Sequence, residues 1–302
     1  MMDRAVDLTG RVVLITGAGR GLGLSHARLL ASRGARVVIN DVVSDGHDPA
    51  GEAVATLRAE GGTAVACTID ISSPEGGAAL IETALDAFGQ LDGLVHNAGI
   101  LRDRTLVKLA PDDVRDVLAV HLEAAFWMLK PAMEAMKVNG FGRVVLTTSS
   151  SGLFGTYGQS NYAAAKMGLI GLMRVLTLEG ARAGIVVNAV APSARTRMTE
   201  DLLGPLSERL DPAHVSPLVA YLCSAACDVG NRIFSAGGGR YASAFIGLTP
   251  GWVRRGDGFA TIEDIAANID CITDRAGYTV PDSGQDELKL MLEAFGDVDG
   301  LS

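Results

Sequence analysis

Apolar residues follow two periods along this chain, one typical of strands and one of helices. Short β-branched runs predict strands near 12–16, 36–40, 63–69, 92–96, 143–148, 185–190 and 232–234. Segments with apolar residues at helical spacing predict helices at about 22–33, 50–60, 76–88, 112–138, 161–182 and 212–226. The alternation of the two predicts βαβ units. We therefore expect an α/β fold, a doubly wound parallel seven-stranded sheet with helices on both faces and a C-terminal extension.

Two regions depart from the alternation. Residues 196–211 contain apolar residues interrupted by turn residues, which predicts either a mobile lid over a substrate or an irregular loop. Residues 241–302 form a tail in which Thr261 and Asp264 have the spacing of a helix N-cap and its capping-box partner. We expect 1–240 to form one dinucleotide-binding and catalytic domain. The extension would cover the substrate site or contact another subunit.

A glycine-rich segment follows the first predicted strand and precedes a helical pattern. Strand, glycine turn and helix in this order predict a phosphate-binding loop, although the glycines alone are also compatible with an ordinary loop. Gly17 would permit a tight turn, and Gly21 and Gly23 would let the backbone and the helix approach closely. A pyrophosphate would then meet free N–H groups at the start of the helix. The residues expected to hold it are Gly17, Arg20, Gly21, Leu22 and Gly23.

Two carboxylates follow the next two predicted strands. Asp41 ends the second strand, where a carboxylate accepts hydrogen bonds from the ribose of an adenosine. The same charge would repel a 2′-phosphate, so we predict NAD as the cofactor, although Arg20 favours the phosphate of NADP. Asp70, with Ile71 beside it, would bind the adenine amino group, or it is simply an acid near a helix N-terminus.

Tyr162 and Lys166 are four residues apart on a predicted helix and therefore share one face. A nearby ammonium favours a phenolate, so we expect Lys166 to lower the pKa of Tyr162 from about 10. Tyr162 would exchange a proton with an alcohol or a ketone, and Ser149, at the end of a strand, would bind the substrate oxygen. Alone, such a pair is usually a solvated helix face. With the glycine loop and Asp41, it predicts hydride transfer to a nicotinamide.

These motifs, in this order, resemble those of the short-chain dehydrogenase/reductase family over about residues 8–240. The resemblance implies a Rossmann-type fold, a segment that supports the sheet beside the adenosine, and a contact to the nicotinamide carboxamide from Thr196. The further cofactor-binding residues that it implies are Asn97, Ala98, Gly99, Tyr162, Lys166 and Thr196. Family members commonly pair their subunits through the helices that correspond to 112–138 and 161–182, which implies a homodimer or a homotetramer.

A finer resemblance is carried by Val120-His121-Leu122, the segment before Tyr162, and the tail from Thr261 to Asp274. It is to the (3R)-hydroxyacyl-CoA dehydrogenase domain of multifunctional enzyme type 2 and its free-standing bacterial relatives. It implies NAD-dependent oxidation of a (3R)-hydroxyacyl-CoA to the 3-ketoacyl-CoA. His121 is then a catalytic residue of a proton relay, or a core histidine bonded to the backbone. The alternatives are a hydroxysteroid dehydrogenase, a 3-ketoacyl-thioester reductase using NADPH, and a redox sensor that binds NAD.

Composition narrows the partners and the location. The 302 residues are 48% hydrophobic, which suffices for a buried core. A net charge of −9 argues against nucleic acid as the main partner, but a local basic patch could still bind an anionic substrate. The resemblance implies a small-molecule substrate, an acyl-CoA or a steroid-like molecule. No apolar stretch of about 18 residues predicts a membrane span. Cys223 and Cys227 lack nearby further ligands, so we expect no metal, and the absence of a secretory signal suggests a cytoplasmic protein.

Overall fold

A computed structural model describes residues 6–195, 209–256 and 258–296. The chain divides into two compact units, Met1–Ser243 and Ala244–Ser302. The larger unit carries the sheet, and the smaller one carries the last two helices.

Eight strands form one sheet in the order β3-β2-β1-β4-β5-β6-β7-β8. Their bounds are β1 (Val12–Thr16), β2 (Arg36–Asn40), β3 (Thr63–Cys67), β4 (Gly93–His96), β5 (Gly142–Thr147), β6 (Ile185–Pro192), β7 (Ile233–Gly237) and β8 (Arg240–Ala244). Strands β1 to β7 pair in parallel, and β1 and β5 are buried along their whole length. The order reverses between β1 and β4, so a crevice opens at their carboxyl ends, where doubly wound folds bind ligands. The predicted fold class is confirmed.

The sheet nevertheless has eight strands and not the predicted seven. β8 follows β7 after only Gly238 and Gly239, whose φ angles are +57° and +80°. A type I′ hairpin turn has positive φ angles at both central residues, and glycine adopts this conformation without strain. The sequence pattern does not reveal β8 because its side chains are exposed or half-buried, so no apolar run marks it.

Ten α-helices lie within the described ranges. Their bounds are α1 (Gly21–Ser32), α2 (Pro49–Ala59), α3 (Pro74–Phe88), α4 (Pro111–Leu118), α5 (Ala124–Asn139), α6 (Ser150–Phe154), α7 (Ser160–Gly180), α8 (Ser216–Leu222), α9 (Ile262–Thr273) and α10 (Gly284–Phe295). Local sequence sets several of the starts. The side chains of Asp48 and Ser73 accept hydrogen bonds from the first turns of α2 and α3, and a proline opens each helix.

Three helical segments differ from the prediction. The segment 112–138 is not one helix, because a π-helical turn, Ala119–Glu123, separates α4 from α5. The segment 212–226 is shorter than expected, since α8 ends where the Ser224 hydroxyl donates to the Tyr221 carbonyl at 2.7 Å. α6 was not predicted because five residues are too few to show a helical period.

The Phe141 ring packs against two arginines at the end of the sheet opposite the crevice. The guanidinium carbons of Arg11 and Arg143 lie 3.8 and 4.2 Å from the centre of the Phe141 ring. Arg143 is buried near the start of β5, and its guanidinium donates four hydrogen bonds to backbone carbonyls. These carbonyls belong to Gly142, Gly184, Ser224 and Cys227. One side chain therefore ties β5 to two loops at this end of the sheet.

The smaller unit is built around α9 and α10. Thr261 and Asp264 form the predicted capping box of α9, and Ser283 and Asp286 form an equivalent one at α10. Neither helix has a buried residue in the structure. Among the helices of the described ranges, none combines the length and the apolar character that a bilayer crossing needs.

Candidate active site

The glycine loop lies at the carboxyl end of β1 and leads directly into α1. A Cβ at Gly17 would lie 2.7 Å from the Ala98 Cα, and one at Gly23 would lie 2.7 Å from the Ala18 Cα. Arg20 is the N-cap of α1, and within the described structure its exposed side chain makes no hydrogen bond to the helix. The N-cap side chain thus leaves the first N–H groups of α1 available to an anion.

Asn97 and Ala98 tie the end of β4 to this loop. Both of their backbone N–H groups donate to Thr16 Oγ1 at 3.0 Å. The Asn97 side-chain amide donates to the carbonyls of Thr16 and Gly17 at 3.1 and 3.0 Å. The path of the loop is therefore fixed by the protein itself.

Asp41 follows β2 directly, and its carboxylate faces the glycine loop. One oxygen accepts a hydrogen bond from the Gly19 N–H at 3.0 Å, and the other accepts one from the Val42 N–H at 3.0 Å. Two backbone donors thus hold the Asp41 carboxylate beside the glycine loop.

Asp70 and Ile71 lie in the loop between β3 and α3. Asp70 is exposed and accepts a hydrogen bond from the Ser72 N–H at 2.9 Å, whereas Ile71 is buried. The cap of α3 is Ser73, so Asp70 is not the capping residue of that helix. Its carboxylate retains lone pairs for a further donor, and its role toward an adenine stays a prediction.

Asn40 is a residue of this region that sequence reasoning missed. It is buried at the end of β2, and its amide donates to the carbonyls of Cys67 and Ile69 at 3.1 and 2.9 Å. β3 ends at Cys67 and not at the predicted Ile69, and the Asn40 side chain joins the end of β2 to the segment that follows β3.

Ser149 lies just beyond β5, at the same edge of the sheet as the glycine loop. It is the N-cap of α6, and its Oγ accepts a hydrogen bond from the Ser151 N–H at 3.1 Å. The Ser149 side chain also lies close enough to the Tyr162 phenol to act on its pKa, which it lowers. The strand end and the cap together orient this hydroxyl toward Tyr162.

The pKa of Tyr162 is raised above its ordinary value, so the expected lowering is wrong for this structure. Burial of the phenol is the largest cause, the Ser149 side chain acts against it, and the charge of Asp103 raises the pKa further. Lys166 does not reverse this, because its Nζ lies 5.6 Å from the ring centre and donates to the Thr147 carbonyl at 2.6 Å. The phenol is therefore protonated at neutral pH.

Lys166 shares one face of α7 with Tyr162, as the spacing predicts. It is 2% exposed, and burial lowers its pKa to about 7. Its side chain carries three N–H bonds in the charged form, and Thr147 accepts one of them. The others are available to hydroxyl groups of a ligand.

His121 lies in the middle of the π-helical turn and is 1% exposed. Its Nε2 lies 2.8 Å from the Ile100 carbonyl oxygen, and its ring packs edge-on against Tyr162 with centroids 5.2 Å apart. Burial, and then the charge of Lys166, hold the pKa of His121 well below its usual value. Nδ1 is buried and has no hydrogen-bond partner among the described residues. The backbone hydrogen bond is present, and the relay role stays a prediction.

A polar network at the start of α7 also escaped sequence reasoning. The Ser151 hydroxyl donates to Gln159 Oε1 at 2.7 Å, and Gln159 Nε2 donates to the Asp103 carboxylate at 2.6 Å. Gln159 is buried and precedes Tyr162 by three residues, so the network fixes the start of the helix that carries Tyr162. No local pattern signals it, because Gln159 and Asp103 are 56 residues apart.

The remaining predictions concern the interrupted segment, metal binding and the cysteines. Thr196 and most of the interrupted segment 196–211 lie outside the described residues. Across the described ranges, no group of His, Cys, Asp and Glu side chains has the arrangement of a metal site. Cys223 is buried, and burial raises the pKa of its thiol to about 12, which makes it chemically inert.

Comparison with known proteins agrees with this geometry. Residues 11–204 match the family model described as short chain dehydrogenase. A putative short-chain type dehydrogenase/reductase of Mycobacterium tuberculosis is 43% identical, over 89% of this chain and 96% of the relative. A hydroxyacyl-CoA dehydrogenase of the same organism is 41% identical, over 76% of this chain and 77% of the relative. The structure of full-length peroxisomal multifunctional enzyme type 2 from Drosophila melanogaster superimposes with a TM-score of 0.83 at 34% identity. That match covers 97% of this chain and 50% of the fly protein.

Proposed function

This chain belongs to the short-chain dehydrogenase/reductase family, and from that premise we propose that it oxidises a (3R)-hydroxyacyl-CoA to the 3-ketoacyl-CoA with NAD. Family membership makes it an oxidoreductase acting on hydroxyl groups. The observation that carries the proposal is the meeting of Ser149, Tyr162 and Lys166 at the sheet edge that also bears the glycine loop. The chain belongs to an enzyme family and retains both Tyr162 and Lys166, which argues against the alternative of a redox sensor.

The glycine loop, Asp41 and Lys166 are the residues that would hold the cofactor. A Cβ at Gly23 would overlap the Gly17 carbonyl oxygen, so glycine at this position lets the start of α1 pack closely on the loop that would bind a pyrophosphate. When bound, NAD supplies the hydride acceptor. Asp41 supports NAD over NADP, since a carboxylate beside a 2′-phosphate costs on the order of a few kcal/mol.

The protein's own residues move the proton. Ser149 would bind the substrate oxygen, and Tyr162 would accept the hydroxyl proton during oxidation or donate it during reduction. The pKa of Tyr162 is raised, so the form that accepts a proton is scarce at neutral pH. We therefore expect the rate of alcohol oxidation to rise from pH 7 toward pH 10 and the rate of ketone reduction to fall.

The acyl-CoA substrate rests on the relatives. One of them is a hydroxyacyl-CoA dehydrogenase by name, and the match to multifunctional enzyme type 2 extends over nearly the whole chain. The test measures the formation of reduced cofactor with a series of (3R)-hydroxyacyl-CoA thioesters, with hydroxysteroids, and with the (3S) thioesters as a stereochemical control. A specificity constant that is highest for a hydroxysteroid would replace the acyl-CoA proposal. If the protein turned over only as a reductase with NADPH, NADPH would replace NAD as the proposed cofactor.

The preference for NAD over NADP is tested by Asp41→Asn. We expect the specificity constant for NAD to exceed that for NADP, and Asp41→Asn to narrow the difference by about tenfold or more. Asp45→Asn is the matched control, because Asp45 is exposed nearby and its positive φ suits asparagine as well. Equal selectivity in the Asp41→Asn protein and the wild type would remove Asp41 from this role.

The acid–base residue is tested by Tyr162→Phe. The ring keeps its packing, so we expect NAD binding to survive while turnover falls roughly a hundredfold or more. Tyr157→Phe is the control, because this tyrosine is 91% exposed and lies five residues away. A Tyr162→Phe enzyme that retained more than about a tenth of its activity would exclude Tyr162 from proton transfer.

We further propose a homodimer or homotetramer in the cytoplasm. The support for self-association is a set of exposed apolar side chains on α5 and α7, which are Phe126, Val138, Val175 and Leu178. The support for the location is that all four cysteines are free. Light scattering should give a mass of two or four chains, and Val175→Lys with Leu178→Lys should reduce it.

A further inference from the structure

A buried histidine links the glycine loop to the turn that carries His121. His96 ends β4 and is fully buried. Its Nδ1 lies 3.2 Å from Thr16 Oγ1, and its Nε2 lies 2.8 Å from the His121 carbonyl oxygen. One ring therefore contacts both halves of the candidate active site, and none of the roles given above uses it.

The partners of His96 determine where its proton lies. Thr16 Oγ1 already accepts the N–H groups of Asn97 and Ala98, both at 3.0 Å. These bonds use its two lone pairs, so its own proton is donated to His96 Nδ1. Burial lowers the pKa of His96 to about 4, so the ring is neutral at pH 7 and Nε2 carries the remaining proton. Nε2 therefore donates to the His121 carbonyl.

The receiving carbonyl lies in the π-helical turn Ala119–Glu123. A π-helical turn departs from the regular i→i−4 pairing, and His96 Nε2–H gives one of its carbonyls a donor from outside the helix. The same turn packs on α7 at two points. The His121 ring lies edge-on to Tyr162, and the Leu122 side chain lies so close to Gly168 that a Cβ there would be 2.9 Å from it.

We propose that His96 is a positioning residue whose Nε2–H holds the π-helical turn where His121 and Leu122 fix α7 and hence Tyr162. The proposal rests on the proposed function, because its main readout is turnover. The Nδ1 end has a separate task, since it orients the Thr16 hydroxyl that anchors the glycine loop. The two ends of the ring should therefore affect different kinetic constants.

Two amide substitutions separate the two ends. Glutamine places an amide near the position of Nε2 and retains a donor for the His121 carbonyl, whereas asparagine reaches only the position of Nδ1. We expect His96→Asn to lower kcat by about tenfold or more with little change in KM for NAD, since misplacement by about 1 Å costs up to a hundredfold. We expect His96→Gln to keep kcat within about threefold and to raise KM for NAD.

A purely structural role for His96 predicts a different result, in which both variants lose kcat and thermal stability together. That outcome, or a normal kcat in His96→Asn, would overturn the proposal. Nuclear magnetic resonance gives a readout independent of turnover. The Tyr162 ring signals should shift in His96→Asn and not in His96→Gln, and unshifted signals in both would also overturn the proposal. Failure of the wild type to oxidise any secondary alcohol would instead refute the proposed function and leave the resonance test standing.

Discussion

Acid should destabilise this protein through histidines that are buried in the neutral form. Burial lowers the pKa of His26 to about 3 and that of His96 to about 4. The unfolded chain binds a proton on each histidine below about pH 6.5, and the folded chain does not until the pH approaches the lowered value. Stability is therefore intact above pH 6.5 and falls as the pH decreases toward 3.

The perturbation is His26→Asn. His26 Nδ1 lies 2.8 Å from the Ser216 hydroxyl, and an asparagine amide reaches the same position, so the hydrogen bond between α1 and α8 is kept. Lowering the pKa of His26 from 6.5 to about 3 makes the free energy of unfolding about 5 kcal/mol smaller at a pH below both values than at a pH above both. Between pH 6.5 and pH 4.5, linkage gives about 2 kcal/mol for this one residue.

Urea unfolding at pH 6.5 and pH 4.5 measures the effect. The loss in the free energy of unfolding between the two pH values should be about 2 kcal/mol smaller in His26→Asn than in the wild type. His214→Asn is the control, because the side chain of His214 is exposed, and it should show the loss of the wild type. Equal losses in all three proteins would refute the assignment of the acid sensitivity to the burial of His26.

Other changes probe the loop, the sheet and the smaller unit. Gly23→Ala should weaken NAD binding by about ten- to a hundredfold, because the added Cβ would lie 2.8 Å from the Asn97 amide. The control Gly171→Ala meets open space in α7 and should stabilise the protein by about 0.5–1 kcal/mol, and equal NAD affinities of the two variants would contradict the prediction. Arg143→Lys should cost about 2–4 kcal/mol in thermal unfolding, since lysine cannot reach all four carbonyls, and an unchanged melting temperature would count against the network. Thr261→Ala should raise the rate of amide hydrogen exchange at the start of α9 by an amount equivalent to about 1 kcal/mol. An unaltered rate would show that the Thr261 cap does not stabilise the helix.

The sequence predicts the parallel core because burial on both faces leaves short runs of consecutive apolar residues, as in Val12–Ile15 of β1 and Val144–Leu146 of β5. It also places the glycine loop and the Tyr162–Lys166 pair, since both depend on spacing within one element. β8 was not predicted, because an exposed edge strand does not need an apolar run.

The errors within the site have a common origin in contacts between distant segments. Nothing within Ala119–Glu123 marks a π-helical turn, because the donor to its carbonyl is His96, 25 residues earlier. The pKa of Tyr162 was expected to fall because Lys166 is near in sequence. The burial of Tyr162 and the position of Asp103 depend on the tertiary structure, and both raise the pKa of Tyr162.

The π-helical turn also determines which changes of length the segment between α4 and α5 tolerates. A π turn advances by about 80° per residue and a regular helix by about 100°, so the five residues Ala119–Glu123 cover about the same rotation as four residues of a regular helix. Deleting one of them would give a continuous regular helix in which α5 still turns Met128, Leu129 and Ala132 toward the core. Inserting one more residue would rotate α5 by about 100° and turn these side chains away from the core. Natural variants of this chain should therefore lose a residue in this segment more readily than they gain one.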